Sequence, residues 1–254
     1  MDLATLIGLL LAVASIFGAF LLEGGSAGML LVITAFLIVF GGTIGATLIS
    51  FPLEDFKRIP YFFKMIFSHK PVNYNGALEI LVTCADKARR EGVLSLENYF
   101  DDIDNPFMLH GLQMVVDGTA PELTRKMLES EIDSYEYSEN IGAEIFMTAG
   151  GFAPTMGIIG TVMGMITVLS NLSQPDELAA AIAVAFLATL YGIASANLLW
   201  IPFGTKIKIK IQREILLMEM ILEGITSIQD GENPRILRDK LTTFLSLEAS
   251  PKAA

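Results

Sequence analysis

The chain has 254 residues, 52% of them apolar and only 18% charged, with a formal net charge of −11. A charged fraction below the roughly 25% of ordinary soluble domains, together with a mean hydropathy of +0.55, argues against a soluble globular protein. The acidic balance argues against a nucleic-acid binder, which uses cations to displace the counterions of phosphate. The single cysteine, Cys84, excludes a disulfide scaffold and reads as a buried core thiol.

The 17 Lys and Arg residues are unevenly spread: none lies in 1–56 or 127–205, nine lie in 57–126 and eight in 206–252. Residues 3–22 carry no Asp, Glu, Lys, Arg or His, and neither do 28–50, 145–175 or 178–205. A helix needs about 20 apolar residues to cross the hydrocarbon core, so these are four transmembrane helices. The first lacks a basic flank and is followed at once by a second span, so it reads as a retained helix rather than a signal peptide. The short turns Glu23–Ala27 and Asn171–Glu177 hold acids but no cations. By the positive-inside rule both termini and both long polar segments are cytoplasmic.

The fold class is therefore all-α, a polytopic membrane protein with four transmembrane helices and a helical cytoplasmic domain. The division is 1–50, a transmembrane hairpin; 51–144, the cytoplasmic helical domain; 145–205, a second transmembrane hairpin; and 206–254, a cytoplasmic helix and tail. Within 51–144, the stretch Asn75–Glu97 sets Leu78, Leu81, Val82, Ala85, Ala88 and Gly92 near one helical face. Pro121 opens a helical run reaching Glu144. Phe203 to Gln229 alternates charged with apolar residues, as an amphipathic helix continuing span four. Gly231, Asn233 and Pro234 mark a turn, and the tail Ala249–Ala254 reads as disordered. No strand and no long repeat is evident.

The sequence has no Ser/His/Asp set, no metal-ligand cluster and no phosphate loop, and His69 and His110 read as solvated or locally bonded, so no enzyme is expected. No span holds a carboxylate, the usual mark of a cation pathway. If the protein moves ions, another chain supplies the titrating group. What the spans do hold is small and hydroxylated. Gly157, Gly160 and Gly164 recur on one face, where a second helix can approach closely. Thr161 lies beside that face, and span four carries Thr189, Ser195 and Asn197. The ordinary reading of such threonines is a bond back to their own helix. Pro154 and Pro202 lie near the cytoplasmic ends of their spans, where each frees a carbonyl and permits a kink. A helix start for Pro154 and a tolerated kink for Pro202 are the plain alternatives.

The runs GGFAPTMGIIGTVMGMITVL (Gly150–Leu169), AIAVAFLATLYGIASANLLWIP (Ala181–Pro202) and ADKARREGVLSLE (Ala85–Glu97) resemble the MotA family of flagellar stator subunits. The order of two spans, a large polar segment, two spans and a short tail matches as well. The ExbB and TolQ proteins share a similar G-T-V-x-G stretch but have three spans; an ExbB/TolQ-type proton-channel energiser of an outer-membrane system is the alternative.

The resemblance implies a bacterial inner-membrane location and a pentamer surrounding a dimer of a MotB-type partner. That partner would supply the intramembrane aspartate, and the rotor protein met would be of the FliG type. No cofactor is implied beyond the transported proton or sodium ion. Rotor-binding residues of the family fall on Arg89 and Glu97, with Arg90 and Glu91 as second choices, and on Glu131, twenty-three residues before Pro154. The prolines that govern motor function fall on Pro154 and Pro202, and the threonine facing the ion path on Thr189. Exposed charges that merely solvate a helix face are the competing reading for the rotor set. Sodium-driven relatives tend to carry threonine at the Thr161 position. A pair of hydroxyls, Thr161 with Thr189, suits the oxygen preference of a hard cation passing transiently, which tilts an open choice toward sodium.

Overall fold

The computed structural model describes residues 2–68, 71–170 and 175–249. The readings made for His69, for the turn residues 171–174 and for the tail 250–254 lie outside the described residues. Among the described residues eleven α-helices run in chain order: α1 (Leu3–Leu22), α2 (Ile33–Phe36), α3 (Gly42–Ser50), α4 (Leu53–Phe56), α5 (Ile59–Phe67), α6 (Tyr74–Glu91), α7 (Pro106–Val116), α8 (Pro121–Ser170), α9 (Pro175–Ser195), α10 (Ile201–Gln229) and α11 (Pro234–Ala249). No strand occurs among the described residues. The chain divides into two compact units: Met1–His69 with Asn140–Lys208, and Lys70–Glu139 with Ile209–Ala254.

Among the described residues, the first unit holds four helical stretches long and apolar enough to cross a membrane: Leu3–Leu22, Ala27–Ser50, one within Pro121–Ser170 and one within Ala181–Gln229. The cap of α1 ties three elements together. Asp2 Oδ1 accepts the Thr5 N–H at 3.3 Å, and Asp2 Oδ2 accepts from Lys206 Nζ at 2.5 Å. The Asp2 N–H donates to the Phe67 carbonyl at 2.9 Å. The start of α1, the end of α5 and Lys206 of α10 therefore meet at one level. Beside them α5 buries Phe62 and Ile66. Phe62 fills the space left by Gly142, and Phe63, Phe146 and Phe203 pack edge to face with centroids 5.4 to 6.1 Å apart. This packing explains why α4 and α5 belong to the first unit.

At the far end of α1, Gly24 adopts φ +87°, a left-handed turn that a side chain would strain. The second span does not begin as an α-helix at residue 28. A 3₁₀ turn (Ala27–Leu30) and two non-helical residues precede α2, and a π segment (Leu37–Gly41) joins α2 to α3. Non-helical backbone at membrane depth needs partners. Tyr191 of α9 supplies them: its hydroxyl accepts the Val32 N–H at 3.2 Å and donates to the Leu30 carbonyl.

Three expectations need correction. The run from Pro121 does not stop at Glu144 but continues through span three as one 50-residue helix, α8, so Pro154 lies inside a helix and not at its start. The turn before span four is shorter than expected, because α9 already begins at Pro175. Span four is interrupted by a π segment, Ala196–Trp200.

The second unit is a separate helical core. Tyr74, Leu81, Leu96, Met108, Leu112, Leu128, Met220, Ile221, Ile225, Leu237 and Leu241 are buried together. The face read on 75–97 is real for Leu78, Leu81 and Ala85, but α6 ends at Glu91. Gly92 at φ +88° turns the chain into a 3₁₀ segment, Val93–Asp102. The end of α10 leads through the expected turn at Gly231 into a second helix, α11, that the sequence reading did not separate, and Arg238 of α11 pairs with Glu79 of α6 at 2.5 and 2.8 Å.

Candidate functional site

The glycine face of span three packs on α9 with almost no gap. A Cβ placed on Gly157 would lie 2.9 Å from the Ala188 carbonyl oxygen, and one on Gly192 2.6 Å from that of Ala153. A Cβ on Gly160 would lie 2.6 Å from Ala188 Cβ, and one on Gly164 2.7 Å from Ala185 Cβ. Without a strong hydrophobic force between helices in lipid, such close backbone contact is what holds them.

This approach brings Thr161 and Thr189 together. The Thr161 Oγ1 lies 3.0 Å from the Gly157 carbonyl of its own helix and 3.0 Å from the Ala185 carbonyl of α9. It is also hydrogen-bonded to Thr189 Oγ1. The back-bond and the inter-helix contact thus coexist. Four oxygens share two hydroxyl protons, and both threonines are half-buried. Such a cluster offers oxygen ligands without a fixed charge.

The prolines mark the other end of this seam. Pro154 has no N–H, so the Gly150 carbonyl four residues back loses its helical donor. Gly150 is buried, and a Cβ there would lie 2.6 Å from Ile201 Cγ1 and 3.3 Å from Trp200 Cβ. Pro202 follows those two residues directly, just after the π segment, where the Ile201 N–H reaches back five residues to the Ala196 carbonyl. The two helical irregularities therefore pack on each other. Asn197, within the π segment, donates its amide to the Ile193 carbonyl at 2.9 Å and is exposed.

Arg89 lies in the last turn of α6 and Glu97 in the 3₁₀ segment, and both are exposed. Neither pairs with a described residue. The second choices are engaged: Arg90 with Asp86 at 3.0 Å, and Glu91 with Lys87 at 3.2 Å. Glu131 sits elsewhere, on α8, where it meets His110 Nδ1 at 2.9 Å. It lines a hollow with Ser130, Ser134, Ser138 and Glu139. Cys84 is buried, and burial raises its thiol pKa to about 11. No group of three or more His, Cys, Asp or Glu able to hold a metal occurs among the described residues.

Sequence reasoning missed Tyr191 and the Asp2–Lys206 pair. An acid just before an apolar run is an N-cap signal, so Asp2 was findable. Its long-range partner was not, because Lys206 is two hundred residues away in sequence.

Residues 100–220 match the MotA/TolQ/ExbB proton channel family, and residues 6–92 match the motility protein A N-terminal family. Motility protein A of Bacillus subtilis (strain 168) is 38% identical over 246 residues, covering 96% of this chain and 91% of the relative. Among solved structures, C. jejuni MotAB superposes with a TM-score of 0.92 at 34% identity, covering 100% of this chain and 99% of the other. The flagellar MotAB stator complex from Bacillus subtilis does so with a TM-score of 0.89 at 37% identity, covering 96% of each chain.

Proposed function

The chain belongs to the MotA/TolQ/ExbB proton channel family and is a flagellar motor stator subunit; from that premise we propose how it drives rotation. Full-length similarity to motility protein A decides against the ExbB/TolQ-type energiser. The protein resides in the inner membrane and acts with a MotB-type subunit in an oligomer.

The subunit takes its place as one of five around a partner dimer, with both termini in the cytoplasm. The tie of Asp2 to Phe67 and Lys206 supports that topology, because it sets the start of span one level with residues flanked by cations. A partner aspartate supplies the titrating group that the four spans lack. The observation that carries this reading is the oxygen cluster of Thr161, Thr189, Gly157 and Ala185 in spans without Asp, Glu, Lys, Arg or His. These oxygens replace part of the water shell of a sodium ion on its way to the aspartate. Neutralising the aspartate weakens its hold on one subunit and favours the next, and this difference in binding shifts the preferred angle of the ring. Pro154 and Pro202 leave the lower helices free to follow. Arg89 and Glu97 then meet opposite charges on a FliG-type rotor protein, giving steering and register.

The test is ion flux in reconstituted vesicles. Flux requires both this chain and the partner, and partner Asp→Asn abolishes it. Conductance from this chain alone sinks the proposal.

A further inference from the structure

The second unit contains a small cavity that the stator reading does not use. It has a volume of about 180 Å³, below the roughly 300–1,000 Å³ of small-molecule sites. Ile80, Cys84 and Ile103 form its apolar floor, and Glu79, Thr83, Tyr99 and Asp102 form its rim. A cavity of this size and lining suits one apolar side chain and no cofactor.

The charge around the mouth is one-sided. Three nearby cations are already held: Lys87 by Glu91 at 3.2 Å and over the Tyr99 ring at 5.7 Å, Arg90 by Asp86, and Arg238 by Glu79; the charge of Arg89 is offset by that of Glu97, which likewise pairs with no described residue. Asp101, Asp102 and Asp104 are exposed and make no ion pair with a described residue. The uncompensated charge is therefore negative, and it attracts a cation next to whatever enters.

The cavity also stands beside the rotor-contact residues. Thr83 precedes Arg89 by six positions on the same helix, about 9 Å along its axis. Tyr99 and Asp102 follow Glu97 on the same 3₁₀ segment.

We propose that this cavity is the anchor point of the rotor contact. It receives one aliphatic or aromatic side chain of the rotor protein, carried on a segment with a Lys or Arg beside it that faces Asp101 and Asp102. The division of labour is physical. Exposed charges such as Arg89 and Glu97 set approach and orientation, whereas a buried apolar anchor carries affinity. The proposal rests on the rotor-contact reading of Arg89 and Glu97.

The test uses the full chain in complex with its MotB-type partner and a purified FliG-type rotor protein. Thr83 is exposed and its hydroxyl only bonds back to the Glu79 carbonyl, so Thr83→Trp closes the mouth without touching the core. We expect Thr83→Trp to weaken rotor binding at least about tenfold and to abolish swimming, with ion flux unchanged. Asp102→Lys should weaken binding as well, while Thr83→Ser should not. In a Cys84→Ser background, Thr83→Cys should form a disulfide with a cysteine placed at one apolar position of the rotor protein next to a Lys or Arg. Wild-type rotor affinity in Thr83→Trp, with cross-linking retained from Arg89→Cys and Glu97→Cys, overturns the anchor alone. Loss of the Arg89→Cys and Glu97→Cys cross-links as well overturns the rotor-contact reading beneath it and the anchor with it.

Discussion

Thr161 and Thr189 meet hydroxyl to hydroxyl across the α8–α9 seam, and the Thr161 oxygen also lies 3.0 Å from the Ala185 carbonyl. Neither threonine could reach the other if Gly157, Gly160 and Gly164 carried side chains. The oxygen cluster is thus a consequence of the glycine face.

Removing the Thr161 hydroxyl should therefore be felt as a loss of ion affinity. Thr161→Ala is expected to raise the sodium concentration for half-maximal swimming about tenfold, the equivalent of one hydrogen-bond-grade ligand. Thr161→Ser should restore most of it. Swimming speed followed across a sodium series, with and without a proton uncoupler, provides the check. Speed that ignores sodium and collapses with uncoupler identifies the proton as the ion.

The seam itself predicts an asymmetry among glycines. Gly157→Ala and Gly192→Ala push a methyl against backbone, which cannot give way as a side chain can, and should cost about 1–3 kcal/mol each. Gly151→Ala meets nothing within 4 Å and should be neutral or slightly stabilising. Thermal unfolding of the purified complex separates these outcomes.

The cap of α1 is held by a largely buried charge pair. Lys206→Met leaves the Asp2 carboxylate without its cation at 2.5 Å. A loss of about 1.5–3 kcal/mol is expected, as for hydrogen bonds to charged groups. Asp2→Asn, which keeps the cap on Thr5, should lose less. Faster proteolysis near residue 2 in Lys206→Met than in Asp2→Asn would support this ordering.

In the second unit, partial burial first and the charge of Glu136 second raise the pKa of Glu219. A raised carboxylate binds its proton more tightly in the folded state than in the unfolded chain. Stability is therefore lost as pH rises from the unfolded pKa through the folded one, and the loss is complete at neutral pH. Glu219→Gln should be more stable than the parent at pH 7, by less than about 1 kcal/mol because the burial is only partial and water screens the rest of the side chain. The difference should vanish in acid; a gain that persists at pH 3 would rule out this origin.

Arg89 and Glu97 are exposed and pair with no described residue, so under the proposed rotor contact each charge contributes only about 0.2–1 kcal/mol. Arg89→Glu should slow motility without abolishing it, and Arg89→Glu with Glu97→Lys should be more severe. A charge reversal on the rotor should restore part of the loss in soft-agar spreading. Failure of every rotor reversal to compensate counts against direct pairing.

Hydropathy and charge were enough to read the four spans, the hydroxyl-bearing faces and the amphipathic continuation at 203–229, because these depend on local composition and period. The same cues misled at Glu144, where a change from charged to apolar residues looked like a boundary. A helix does not register a change of solvent when its backbone bonds are uninterrupted, so α8 runs straight through. At Pro154 the reading of a proline that frees a carbonyl within the span holds, and the plain alternative of a helix start does not. Its lost bond is tolerated there because Gly150 packs on Trp200 and Ile201.

By itself, then, the sequence determined what each segment is: apolar enough to enter a membrane, empty of carboxylates inside it, and small along one face. The tertiary structure alone decided which segments meet. It set Thr161 against Thr189, Tyr191 over the break at Leu30–Val32, Asp2 on Lys206, and the apolar cavity beside Arg89 and Glu97. The reason is the range of the forces. Composition and helical period act over a few neighbouring residues. The approach of two helices depends on shape complementarity between residues 28 to 204 positions apart, which no local pattern records.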